Sequence, residues 1–150
     1  MADVAGGSDS PSMARSVLAW KNSNKGAAAL WGEIGRGNEG VLRELRSGGA
    51  VGEGFREVRR KLKRMGLEAG VEIEPDCQTT LCDATMEIEG VVMSGVPGAG
   101  GVDAAFAVVR AGDEGVVGRV DELWEGWEGG GKVKRMGVEE GVEGGFRIEN

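Results

Sequence analysis

The sequence predicts an α+β chain in which a helical first half is followed by an antiparallel sheet backed by helices. Three observations predict it. Up to Met86, apolar residues recur at three and four positions, the helical period. Beyond Gly90 come two short apolar runs, Val91 to Ser94 and Ala104 to Val109, separated by a glycine-dense turn. Between the second run and the C-terminal residues lies one more stretch of helical period, from Glu114 to Trp127.

Taken in order, Ser12 to Trp20 starts the first helix, with Ser10 as its cap and Pro11 at the permissive first position. Ala27 to Leu45 places Trp31, Ile34, Val41 and Leu45 near one face. Its interior glycines Gly32, Gly35, Gly37 and Gly40 each cost about 1 kcal/mol relative to alanine, so this helix depends on tertiary packing. Ser47 to Gly54 reads as a flexible glycine-rich linker. Phe55, Val58, Leu62 and Met65 then mark a helix running to Ala69, with Gly70 as terminator. Asp76 is placed to cap a helix from Cys77 to Met86, and Glu89-Gly90 turns into the first strand. The continuous run Ala104 to Val109 suits a strand covered by helices. Val116, Val120 and Trp124, flanked by Leu123 and Trp127, form an apolar stripe on the last helix. Val133 to Val138 and Phe146 to Ile148 are closing strands in this reading. The implied organisation is a helical segment over 1–46, a linker over 47–54 and an α+β domain over 55–150.

Composition narrows the function classes. A net charge of −7 argues against a general nucleic-acid surface and repels phosphorylated ligands, so any such site must supply local donors. With no histidine and only two cysteines, Cys77 and Cys82, the chain lacks Ser-His-Asp and Cys-His chemistry, and the thiols read as free. No apolar run approaches a membrane span and Met1 to Gly7 has no secretory character. The chain is read as soluble and cytoplasmic, without a membrane partner. The 29 glycines are well above the usual share of about 7% and weaken packing.

Residues Gly95 to Ala104 (Gly-Val-Pro-Gly-Ala-Gly-Gly-Val-Asp-Ala) carry the main functional signal. Glycines at 98, 100 and 101 permit positive φ and let several backbone N–H groups converge on one anion. A plain glycine-rich hairpin turn is equally open on spacing alone. Neither the dinucleotide fingerprint nor the Gly-Lys-Ser/Thr phosphate loop fits. On the helix from Phe55, the run Arg56, Arg59, Arg60, Lys61, Lys63 and Arg64 is either a solvated basic face or a source of phosphate contacts.

Gly95 to Ala104, extended back through Glu74-Pro75, Gln78-Thr79 and Leu81-Cys82-Asp83-Ala84 and on through Phe106 to Val109, resembles the C-terminal part of eukaryotic phosphomevalonate kinases. These belong to the GHMP kinase superfamily. A second patch, Gly6-Gly7-Ser8-Asp9-Ser10-Pro11-Ser12-Met13, is similar to that family's Gly-Gly-Ser-Ser-Thr-Pro-Ser-Met segment. The resemblance implies a ferredoxin-like C-terminal domain and transfer of the ATP γ-phosphoryl group, with Mg²⁺, to phosphomevalonate. It further implies that Gly98, Ala99, Gly100 and Gly101 hold the substrate end of the site. Ser8, Ser10 and Ser12 either add hydroxyls to the acceptor phosphate or act in capping and turns; Asp103 either orients the loop or helps hold Mg²⁺. The family's Pro-x-x-x-Gly-Leu-Gly-Ser-Ser-Ala ATP loop does not occur in these 150 residues. The resemblance therefore implies a C-terminal portion, inactive without an N-terminal kinase half. Asp9 and Val102 depart from the pattern, standing where the family has a small hydroxyl residue and an aromatic one. The alternative is a non-catalytic interaction or regulatory module derived from such a kinase.

Overall fold

The computed structural model describes residues 1–4, 7 and 9–136. In chain order it contains β1 (Ala2–Val4), α1 (Ser10–Ser23), α2 (Ala27–Ser47), α3 (Gly52–Ala69), α4 (Asp76–Met86), β2 (Val91–Gly95), β3 (Ala104–Val109), α5 (Glu114–Glu125) and β4 (Val133–Arg135). The four strands form one sheet in the order β2-β3-β1-β4, every neighbouring pair antiparallel. This is the split βαβ order of a ferredoxin-like fold, with three helices placed between β1 and α4. The mixed α+β class read from the sequence is the class observed.

The strand at the N-terminus was not expected. Three residues of alternating burial give almost no periodic signal, yet Ala2 and Val4 are buried and the strand sits in the middle of the sheet. It pairs Ala2 with Ala105 on one side and with Arg135 on the other. Burial of both its edges by hydrogen bonding, rather than its own propensity, makes it a strand.

The main core lies between the sheet and α4 and α5, where Ala2, Val4, Leu81, Cys82, Ala105, Val120, Trp124 and Val133 pack together. Trp124 donates its indole N–H to Thr85 Oγ1 at 3.0 Å, which satisfies both buried polar groups. Successive strand residues point to opposite faces. Next to Ala105, Phe106 therefore leaves this core and meets Phe55 of α3 edge-on, with ring centroids 6.0 Å apart. A second cluster joins α1, α2 and α3 through Trp20, Ala27, Leu30, Ile34 and Met65, with Ile73 closing it.

Several local expectations are corrected. The cap of α1 is Asp9, whose carboxylate accepts from Ser12 N–H at 3.2 Å, while Ser10 is the first helical residue. A carboxylate at that position gains from the helix dipole as well as the hydrogen bond. Asp76 begins α4 without capping it, because its side chain is drawn to Lys63. The inward face of α2 is Ala27, Leu30, Ile34 and Val41, with Trp31 and Leu45 at its exposed edge. Within the glycine-rich span 47–54, α2 ends at Ser47 and α3 begins at Gly52, and Val51 in the connection between them is buried against Val41 and Val58. Of the closing strands, only Val133–Arg135 falls among the described residues; Val138 and residues 146–148 lie outside them. Cys77 and Cys82 are free thiols. Among the described residues, no helix is long and apolar enough to cross a membrane.

Candidate functional site

The sheet topology brings the glycine loop and the N-terminal serine-rich patch to one end of the molecule. β1 runs antiparallel to β3, so Val4 at its end lies beside the start of β3, and Val4 N–H donates to the Asp103 carbonyl at 2.8 Å. The chain then enters α1 at Ser10, six positions after Val4. Two segments some ninety positions apart thus flank one cleft.

That cleft is a cavity of about 490 Å³, in the usual range for small-molecule sites. Met13, Ala14, Val17 and Leu18 of α1 form one wall, and Gly98, Ala99 and Gly100 form another. Phe55, Val58 and Leu62 of α3 face it from below, together with Ile73 and Phe106. Arg59 and Glu74 are the charged side chains on its lining. Trp31 also lines the cavity, and Lys21 Nζ lies 4.0 Å from its ring centroid. An aromatic face attracts such a cation through its quadrupole.

The loop has the backbone that its glycines suggested, with φ of +64° at Gly98, +89° at Gly100 and +104° at Gly101. Its N–H groups divide into two sets. Gly101 N–H donates to the Ile73 carbonyl at 2.9 Å and Gly100 N–H to the Pro97 carbonyl at 3.2 Å, so both are committed within the protein. Those of Gly98 and Ala99 have no protein partner among the described residues, and both residues line the cavity. Gly100 and Gly101, expected to donate to a ligand, thus spend these N–H groups on anchoring the loop. From α4, Gln78 adds a second anchor by donating through Nε2 to the Val102 carbonyl at 2.9 Å.

The remaining sequence candidates fall as follows. Ser10 and Ser12 occupy the first turn of α1, Ser10 exposed and Ser12 half-buried, and neither lines the cavity. Ser8 lies outside the described residues. Asp103 carries the carbonyl that ties the loop to β1.

All six cations of α3 are paired with carboxylates. Arg56 reaches Glu87, Arg60 reaches Glu53 and Glu57, Lys61 reaches Glu57, Lys63 reaches Asp76 and Arg64 reaches Glu68. Arg59 differs from the rest by being buried. Its Nε and Nη2 fork onto Glu74 at 3.0 and 2.6 Å, and Nη1 reaches Asp83 at 2.7 Å. Burial acts to lower the guanidinium's pKa, but the hydrogen bond and charge of Glu74 outweigh it and the net shift is upward. Arg59 therefore stays charged.

Arg59 and Glu74 were not singled out as site residues. A signal existed in the spacing, because position 59 falls inside the stripe of Phe55, Val58, Leu62 and Met65 and so faces inward with them. Five other basic residues within nine positions hid it.

The fold and the cleft define a ferredoxin-like α+β domain carrying a glycine-loop cavity at one end of its sheet. A similar fold occurs in the Lin0012 protein of Listeria innocua, with a TM-score of 0.64 over 83% of this chain and 35% of that one, at 18% identity. No family model matches the sequence. Curated relatives do: a phosphomevalonate kinase of Gibberella zeae is 41% identical over 149 residues, covering 96% of this chain and 33% of its own length. That of Aspergillus fumigatus is 38% identical over 166 residues, covering 96% and 34%. A peroxisomal phosphomevalonate kinase of Arabidopsis thaliana is 42% identical over 87 residues, 58% of this chain and 16% of its own. The chain is homologous to a C-terminal portion of phosphomevalonate kinases. It spans about a third of the length of the fungal relatives.

Proposed function

We propose that this chain supplies the acceptor-side portion of a phosphomevalonate kinase, a phosphotransferase passing the ATP γ-phosphoryl group to phosphomevalonate. The products are diphosphomevalonate and ADP, in the mevalonate route to isoprenoids, and a cytoplasmic location belongs to the same reading. The observation that carries it is the cavity between α1 and the glycine loop, lined by Met13 of the N-terminal patch and by Gly98 and Ala99, whose N–H groups have no protein partner among the described residues. Phosphoryl transfer depends on positioning and charge neutralisation. Here the backbone donors would hold a phosphate oxygen, while the apolar wall from Met13 to Leu18 would exclude water on the other side. Gly100, Gly101 and Asp103 then shape the loop. In this reading 1–46 carries the serine-rich patch, 47–54 the connection and 55–150 the glycine loop.

Magnesium would accompany ATP, but the residues of this cleft do not make a site for it. Glu74 is committed to Arg59, and among the described residues no three His, Cys, Asp or Glu side chains gather to hold a metal. No step is assigned to a metal on these residues. The ATP seat belongs, in this reading, to the remaining two-thirds of the relatives' length.

The reading predicts that an ¹⁵N-labelled chain titrated with phosphomevalonate shows amide shifts at Gly98 and Ala99, whereas mevalonate, which lacks the phosphate, leaves them in place. The chain alone should not consume ATP. Unmoved amides at millimolar phosphomevalonate would refute the acceptor-side assignment. One observation favours the second reading, a non-catalytic interaction module: the cations of α3 are all neutralised by carboxylates, which leaves little charge on this chain for a phosphate. That module would bind a partner protein while ignoring phosphomevalonate.

A further inference from the structure

We propose that the buried Arg59–Glu74 pair is a positioning device for the glycine loop. The inference rests on the reading of that loop as the phosphate seat. Glu74 follows Ile73, and the Ile73 carbonyl is the acceptor for Gly101 N–H at 2.9 Å. The same carbonyl lies against Gly100 so closely that a Cβ there would overlap it. Where Ile73 goes, the loop follows. Glu74 is held in turn by a two-point fork from Arg59 Nε and Nη2, and Nη1 of the same guanidinium reaches Asp83 on α4. One planar group thereby fixes α3, the Ile73–Glu74 segment and α4 relative to each other. Gln78 on α4 holds the far side of the loop through the Val102 carbonyl.

Stability alone does not account for the pair. Both side chains are about 95% buried or more, and the desolvation of two ions roughly cancels their attraction, so apolar residues of similar volume would hold the core as well. What a bidentate guanidinium adds is geometry, because its donors are rigidly disposed. Its charge has a further effect. Glu74 lines the cavity and would repel an anion beside it; the fork from Arg59, a charge shared with Asp83, offsets that repulsion at the wall. Arg59 acts on the ligand through Glu74 and the loop.

The test uses the 150-residue chain with Arg59→Lys, which keeps the charge and loses the fork, and Glu74→Gln, which keeps the shape and loses the charge. Amide exchange is read at Gly101 against Val120 in α5. Both variants should raise Gly101 exchange about tenfold, equivalent to about 1.4 kcal/mol, relative to any change at Val120. Phosphomevalonate binding, followed at Gly98 and Ala99, should weaken by a similar factor. Exchange that rises equally at Gly101 and Val120, or not at all, overturns the inference and leaves the pair an ordinary core contact. If Arg59→Lys fails to fold by circular dichroism, Glu74→Gln carries the same comparison. Should phosphomevalonate leave the unsubstituted chain's loop amides unmoved, the acceptor-side reading fails. The exchange contrast still decides whether the pair holds the loop.

Discussion

Replacing Gly100 by alanine should destabilise the chain by more than the same change two residues earlier. Gly100 has φ +89° and Gly98 φ +64°, so both substitutions place a Cβ in a conformation that costs about 1–2 kcal/mol. They differ in surroundings. A Cβ at Gly98 meets nothing within 4 Å, whereas one at Gly100 overlaps the Ile73 carbonyl, which already accepts Gly101 N–H. Relief requires the loop to move off Ile73, losing a hydrogen bond worth about 0.5–1.5 kcal/mol. Gly100→Ala is therefore expected to cost about 2–3 kcal/mol, and Gly98→Ala about 1–2 kcal/mol. Urea unfolding followed by tryptophan fluorescence resolves this, because at an m-value of about 2 kcal/mol/M each 1 kcal/mol moves the midpoint by about 0.5 M. Equal midpoints for the two variants would show that Ile73 does not constrain the loop. The comparison also explains why a bulkier residue at Gly100 is a poor probe of ligand access: it disturbs the loop before any ligand arrives.

Three further outcomes follow from local surroundings elsewhere in the chain. Gly35→Ala should stabilise α2 by about 0.5–1 kcal/mol through helix propensity, since nothing lies within 4 Å of its Cβ; Gly37→Ala should lose that gain because its Cβ comes within 2.7 Å of the buried Val58 Cγ2. Thermal or urea midpoints of both variants check the contrast, and a stabilising Gly37→Ala would mean that α2 and α3 are less closely packed than described. The Cys82 thiol is pushed up to about 11, mainly by burial, so native-state iodoacetamide at pH 8 should label Cys77 well ahead of Cys82, as mass spectrometry of peptides would reveal. Because the folded state favours the neutral thiol, its contribution is intact below the ordinary value of 9.0 and is lost as pH rises towards about 11, a change of about 3 kcal/mol. Cys82→Ala should show a correspondingly smaller loss of stability over that interval, and parallel pH profiles for the two proteins would refute the assignment.

The sequence by itself determined the helices and the two hairpin strands, because each carries its own periodic signal over many residues. Phe55, Val58, Leu62 and Met65 could only share a face, and the αL glycine at Gly70 ends their helix as its position suggested. It also supplied the left-handed glycines of the 95–104 loop and the resemblance that the relatives bear out. Tertiary structure alone decided the rest. β1 is three residues long and becomes a strand only because β3 and β4 offer hydrogen bonds on both sides. Which loop N–H groups remain available depended on Ile73, a residue about thirty positions away whose carbonyl claims Gly101. Arg59 looked like one of six surface cations until the fold placed Glu74 and Asp83 around it. Periodicity records which way a side chain faces along its own element. The partner it finds there is set by segments distant in sequence, and no local pattern encodes that meeting.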